Sequence, residues 1–331
     1  MTTAARWGLF FLVTALAARI GHAAAPTPLR VGTGERLLVV APHPDDETLA
    51  AGGLIQRVLM RGGAVRVVLV TAGDGYIEAV SHETGRPRPR PAEYLAYGER
   101  RLREARLALH ELGGDVIRAE HLLGFPDGGL EPLLRAHWQH TRPERSSTTG
   151  AHEPPYGEAE YLDLRYDGAD LRAALVRCLR EFRPTTVALP DPLDRRPDHR
   201  ESELFTLLAV NDWLRTKPRP PALRLLAYLI HWPNWPPGWD VLLPPSTTDR
   251  PPLDLPATLP PRDLARTAFA LTGAEVATKA RALDCYVTQQ QEMPTLLAAF
   301  VRSTEPFTVL TDAVRTHVGE MIEQAVRQPP R

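Results

Sequence analysis

The chain has 331 residues, and its 39 Lys and Arg almost balance its 40 Asp and Glu, for a formal net charge of −1. Hydrophobic residues make up 43% and charged residues 24%, which excludes a disordered chain and fits a globular protein with a sizeable core. The balanced charge offers no basic field for a nucleic acid, so none is expected as a partner.

In chain order, Arg6 precedes an apolar stretch over residues 7–18, followed by Gly21, Ala23, Ala24, Ala25 and then Pro26. A basic start, a short apolar core and small residues before a cut site read as a signal peptide over residues 1–25. The stretch is short for a spanning helix, though Arg19 at its end also fits an uncleaved anchor. The expectation is cleavage near Ala23 or Ala25, a secreted or periplasmic mature protein (residues 26–331, one domain with a C-terminal helical extension), and no stable membrane insertion.

Residues 37–41 form an apolar, β-branched run, and residues 47–61 have helical spacing stopped by Gly62-Gly63. Residues 64–71 predict a buried parallel strand, another strand is expected within residues 116–123, and a helix over 169–182 leads into a strand at 185–189. The last clear strand is expected at 223–230, with helical character from 262 onward and a terminal helix within 309–326. Alternating strands and helices predict a Rossmann-like α/β fold, an open and mostly parallel sheet with helices on both faces. Residues 75–100, with their Arg/Pro alternation at 86–91, read as a long loop, either a lid or a solvated arm. Pro is frequent, at 33 residues, and implies further long loops around the cleft. Cys178 and Cys285 each lie in a helical apolar pattern and carry no metal-ligand spacing; they are either one disulfide or two free thiols.

The chemistry concentrates at strand ends. His43-Pro44-Asp45-Asp46-Glu47 follows the first strand, Gly73-Asp74-Gly75 the second, and Asp198-His199 a later one. In open parallel sheets this is the crevice where ligands bind. An imidazole beside carboxylates suits a divalent cation together with a base for hydrolysis. The plainer reading, acidic residues in the first turn of a helix, leaves His43 and His199 unexplained.

The segments Ala41-Pro42-His43-Pro44-Asp45-Asp46-Glu47, Val70-Thr71-Ala72-Gly73-Asp74-Gly75 and Asp194-Arg195-Arg196-Pro197-Asp198-His199 together resemble the PIG-L/LmbE-like family of zinc-dependent de-N-acetylases. Weaker echoes are Arg101 with its helix, Gly124-Phe125-Pro126-Asp127-Gly128, and Lys279 with Tyr286 and Gln289. The resemblance implies that His43, Asp46 and His199 bind Zn²⁺, with Fe²⁺ as another ion such a donor set accepts. It implies Asp45 as general base, Asp198 as a residue orienting the site, and Arg101 and Asp127 as substrate contacts; Asp74 is a further substrate-contact candidate because Gly73 and Gly75 let the backbone approach a ligand. The implied reaction is removal of an acetyl group from an N-acetylated amino sugar of the GlcNAc type, free or in a glycoconjugate. One position departs from the pattern. Where the family carries a histidine three residues before the metal-binding His199, this chain has Arg196. Arginine can stabilise an oxyanion but cannot act as general acid, or it can simply point outward. Either Asp45, once protonated, passes the proton to the amine, or another group does, with His82 and His231 as the candidates; the departure also leaves open a zinc amidase for another small conjugate or a metal-retaining carbohydrate-binding protein with impaired catalysis.

Overall fold

The computed structural model describes residues 27–114, 120–139, 142–161, 163–217, 222–241, 251–260 and 262–327. The signal-peptide expectation for residues 1–25 lies outside them. Among the described residues, eight strands form one sheet: β1 (Thr27–Pro28), β2 (Arg36–Ala41), β3 (Ala64–Thr71), β4 (Glu120–Phe125), β5 (Thr186–Pro190), β6 (Arg224–Tyr228), β7 (Arg266–Ala270) and β8 (Thr304–Leu310). Their spatial order is β1-β7-β8-β6-β5-β2-β3-β4. All pairings are parallel except those of β8, which runs antiparallel to both β6 and β7.

Strand β2 shows why the sheet is covered on both faces. Leu37, Val39 and Ala41 enter one hydrophobic cluster, while Leu38 and Val40 enter the other, and none of the five is more than 1% exposed. A strand buried on both sides reads as a continuous apolar run, as 37–41 does. The first face is packed by α1 (Asp46–Met60), α3 (Pro91–Gly113) and α7 (Gly273–Asp284), through Leu54, Ile55, Leu102, Leu109, Val276 and Leu283. The second is packed by α5 (Gly168–Phe182), α6 (Pro197–Arg215) and α10 (Asp312–Arg327), through Leu171, Leu175, Phe205, Leu208 and Val318. Among the described residues, no helix is long and apolar enough to cross a membrane.

From β2 the chain winds outward to β3 and β4, then returns to place β5 on the other side of β2. The winding direction reverses at the β2/β5 neighbours, so their carboxyl ends flank the crevice of a switch point. Both leading motifs emerge there.

Three expectations are corrected. Residues 75–100 are not a loop: α2 (Ile77–Thr84) and the first turns of α3 occupy most of them, with the Arg/Pro run as a short link whose Pro91 starts α3. Proline is favourable at the first helical turn, so its presence signalled a start rather than an arm. Strand β6 is not the last, because β7 and β8 add to the same sheet. Strand β8 contains Pro306, a residue that donates no ladder hydrogen bond and disguises the strand, and α10 begins only at Asp312. Between them lie α7 and two short helices, α8 (Val287–Glu292) and α9 (Pro294–Ala299). The described part of the fourth strand starts at Glu120, and the earlier half of its expected range falls outside the described residues. Both cysteines are free thiols, Cys178 buried and Cys285 partly exposed.

Candidate metal centre and active site

Asp45 closes β2's exit and caps α1 in a conformation rare for a side chain, φ 124. Such backbone costs of order 1–3 kcal/mol and persists only when its surroundings over-determine it. Its carbonyl accepts from Thr48 N at 3.0 Å and Leu49 N at 2.9 Å, and its own N–H donates to Glu47 Oε2 at 3.2 Å. Glu47 is fixed in turn by the hydroxyls of Tyr286 and Thr48. The Asp45 carboxylate accepts from Arg101 Nη2 at 3.1 Å, and the same guanidinium donates to the carbonyls of Pro44 (2.6 Å) and Gly73 (3.0 Å). Arg101 is 4% exposed, so it belongs to the site and not to a solvated helix face. Glycine is required at position 73, where φ is 66 and a Cβ would overlap the Arg101 guanidinium.

His43, Asp46 and His199 converge. Asp46 Oδ2 lies 3.2 Å from His43 Nδ1 and 3.3 Å from His199 Nε2, and the ring centroids are 5.3 Å apart. One donor atom from each lies within 4.8 Å of the others. His199 is fully buried, and neither ring nitrogen makes a hydrogen bond, although carboxylate oxygens of Asp46 and Asp194 lie within 3.3 Å of Nε2 and 3.2 Å of Nδ1. A buried nitrogen lone pair aimed beside a carboxylate and a second imidazole fits a divalent cation with nitrogen and oxygen ligands. The surrounding charge agrees. Burial pulls the His199 imidazole down, yet Asp194 and Asp46 raise it to about 9, so the site favours positive charge at this point. Asp46 sits well below the usual carboxylate range: burial opposes this, and His199 and His43 overcome it.

A ring of carboxylates orients these donors, the arrangement expected around metal-binding histidines. Asp194 Oδ2 lies 3.2 Å from His199 Nδ1 and accepts the N–H groups of Ile230 and His231, each at 2.9 Å. Asp127 Oδ1 lies 3.2 Å from His43 Nε2, with Asp198 Oδ2 at 3.6 Å. Asp198 also accepts from Gly128 N at 2.6 Å and Leu130 N at 3.3 Å, fixing the 126–130 turn against α6. Asp127 accepts from Gly75 N at 2.6 Å. Asp45 differs in its proton affinity from Asp194 and Asp127, which their histidine neighbours hold low. Burial, augmented by Asp46 and Glu47, holds its carboxyl up to about 7 despite Arg101.

The pocket above this cluster is lined by His43, Asp45, Asp46, Arg101, Asp127, Arg196 and His231, with Tyr76, Gln289, Met293 and Leu296 completing its wall. Of the three residues expected to touch substrate, Arg101 and Asp127 line the pocket and Asp74 does not. It is 3% exposed, receives the Tyr156 hydroxyl, and lies outside the pocket wall; burial and neighbouring Asp127 raise it to about 7. Asp127 grips His43 as well as lining the pocket, and Arg196 stands exposed at the rim. Of the two alternative histidines, His82 is an exposed partner of Glu292 at 2.9 Å, away from the pocket wall. His231 is in that wall, its ring 4.9 Å from that of His199. Nothing in the sequence singled out Asp194 or Glu47, although both sit inside the quoted motifs.

The sequence profile described as "PIG-L: GlcNAc-PI de-N-acetylase" matches residues 38–210. The chain is 33% identical over 186 residues to a 1D-myo-inositol 2-acetamido-2-deoxy-alpha-D-glucopyranoside deacetylase of Mycobacterium sp. (strain KMS), covering 56% of this chain and 53% of that protein. It is 33% identical over 180 residues to the enzyme of the same name from Rhodococcus jostii (strain RHA1), covering 53% of each. The chain thus spans about half the length of the curated relatives it matches. Among solved structures, the N,N'-diacetylchitobiose deacetylase from Pyrococcus horikoshii aligns over 83% of both chains at 17% identity and a TM-score of 0.48. The profile match takes in β2 to α6, and with them both motif-bearing strand ends and the converging His43, Asp46 and His199. This chain belongs to the PIG-L family.

Proposed function

We propose that the protein is a zinc-dependent N-deacetylase that hydrolyses the acetamide of an N-acetylated amino sugar of the GlcNAc type, alone or within a glycoconjugate. The observation that carries this reading is the placement of Asp45. It lines the same pocket as His43 and Asp46 but is not part of the His43/Asp46/His199 donor set, and Arg101 anchors its carboxylate, leaving it available to move a proton. A divalent ion held by His43, Asp46 and His199 would supply Lewis acidity, polarising the amide carbonyl and lowering the pKa of water. A carboxyl held near neutrality is matched to proton exchange at both stages of amide hydrolysis. Asp45 takes a proton from the attacking water as the new C–O bond forms. It returns that proton to the nitrogen as the C–N bond breaks, releasing acetate and the amine. Asp194, Asp127 and Asp198 hold the two histidines in place, and Arg101 fixes Asp45. The relatives' names, which specify acetamido sugars joined to a polyol, support the substrate class. A signal peptide over residues 1–25 would put this activity outside the cytoplasm.

Arg196 at the exposed rim favours a second reading, a metal-retaining sugar-binding protein. Acetate release from a panel of N-acetylated sugars by the zinc-loaded protein separates the two, with Asp45→Asn as control. Release that Asp45→Asn abolishes while zinc is retained supports the deacetylase. Sugar binding with no release across the panel overturns it in favour of the binding protein, and release from non-sugar acetamides alone favours a general amidase.

A further inference from the structure

The Arg196 departure leaves the pocket without a histidine at the position where the family has one. Position 196 follows Pro190, the end of β5, through a short turn. A second chain segment lies against that turn. Arg195 N donates to the His231 carbonyl at 3.0 Å, and His231 N donates to Asp194 Oδ2 at 2.9 Å. His231, three residues beyond the end of β6, is therefore clamped beside the residues that precede His199. The clamp uses Asp194, the same carboxylate that faces His199 Nδ1 at 3.2 Å. Through it, the His231 ring is held at 4.9 Å from the His199 ring with an interplanar angle of 68°. One His231 ring nitrogen lies within 4.8 Å of a His199 nitrogen and an Asp194 oxygen. Neither ring nitrogen of His231 has a hydrogen-bond partner among the described residues, and the ring is part of the pocket wall with His43, Asp45, Asp46 and Arg196.

We infer that His231 is a catalytic residue of this chain, donating an N–H to the amide oxygen as negative charge develops on it. It enters the pocket wall from beyond the end of β6, beside His43, Asp45 and Asp46. An imidazole carries an N–H in either protonation state, so this role needs no change of charge. Arg196, exposed at the rim, contributes positive charge from farther out, and the directed hydrogen bond belongs to His231. Asp194 and Arg195 fix the backbone that carries the ring, and a donor on a fixed backbone needs little rearrangement when charge appears, the condition under which such bonds act most strongly.

This inference rests on the deacetylase reading. The test uses zinc-loaded full-length protein with His231→Leu and His231→Gln, measuring zinc content, kcat and KM, and calorimetric binding of methylphosphonate, a tetrahedral anion. For His231→Leu the expected result is a kcat lower by about 10²- to 10³-fold, with KM and zinc content unchanged and methylphosphonate bound at least about tenfold more weakly. His231→Gln, which keeps an N–H donor, should recover part of both losses. A His231→Leu variant with kcat and methylphosphonate affinity within about threefold of the parent overturns the assignment, as does a loss that tracks loss of zinc. A parent protein that releases no acetate sinks the deacetylase reading alone, because the methylphosphonate comparison still decides whether His231 donates to a bound anion.

Discussion

Glu203, on α6, gives a prediction whose sign is opposite to intuition. It is 1% exposed, and neither carboxylate oxygen has a hydrogen-bond partner. Its surroundings are Asp191, Glu201 and Arg262, but the Arg262 Nη2 is already committed to Asp191 at 2.7 Å. Burial, with Asp191 and Glu201 adding repulsion, pushes the carboxyl from 4.5 to about 8 against the attraction of Arg262. The folded state therefore holds a proton that the unfolded chain releases above pH 4.5. Stability must fall as pH rises from about 4.5 to about 8 and level off above that. At about 1.4 kcal/mol per pH unit, the ceiling of this loss is roughly 5 kcal/mol. Unfolding entropy near 2 cal/mol/K per residue over roughly 300 residues makes that at most about 8 °C in Tm. Glu203→Gln removes the effect, and any fixed cost of the buried amide cancels when one pH is compared with another. Calorimetric Tm values of metal-loaded parent and variant from pH 5 to pH 9 should show Glu203→Gln gaining about 3–6 °C relative to the parent between pH 5 and pH 8. Parallel curves would refute the argument. Glu201, also buried without partners and raised to about 8 by burial, persists in the variant and should keep part of the slope.

Lys279 Nζ bonds Glu305 Oε1 and the Leu49 carbonyl, each at 2.8 Å, while Glu305 accepts the N–H groups of Gly53 and Leu54 across the break in α1 at Ala51. Lys279→Met should cost about 3–5 kcal/mol by stranding a buried carboxylate, or about 5–8 °C in Tm; a loss below about 1 °C would contradict the pairing. Burial raises the Cys178 thiol to about 11, whereas Cys285 is partly exposed. A thiol reagent should titrate one cysteine in the native protein and two in denaturant without reductant, and finding none in denaturant would show a disulfide. Dialysis against a chelator should abolish turnover and lower Tm, with both restored by zinc; unaffected Tm would mean that the folded protein gains nothing from the ion.

The parallel half of the sheet was legible because strands buried on both faces leave unbroken apolar runs, as at 37–41 and 64–71. Strands β7 and β8 were not, since one is short among prolines and the other contains Pro306. The metal donors were legible because each lies at a strand or helix terminus within a compact motif. Asp74 read as a site residue for the same reason, but only the structure shows Tyr156 drawing it out of the pocket. His231 arrives from β6, far from the motifs in sequence. It was named from sequence only as an alternative proton donor; its place beside His199 depends on its N–H bonding the Asp194 carboxylate and its carbonyl accepting from Arg195 N, tertiary contacts that the motifs do not reveal.

The central claim is that one divalent cation is held between His43, Asp46 and His199. Anomalous diffraction at the zinc edge from zinc-loaded crystals tests it directly. A single peak is predicted within about 2.0–2.2 Å of His43 Nδ1, an Asp46 oxygen and His199 Nε2. A peak on the other side of the ring, among His43 Nε2, Asp127 and Asp198, or no peak near His199, would contradict it.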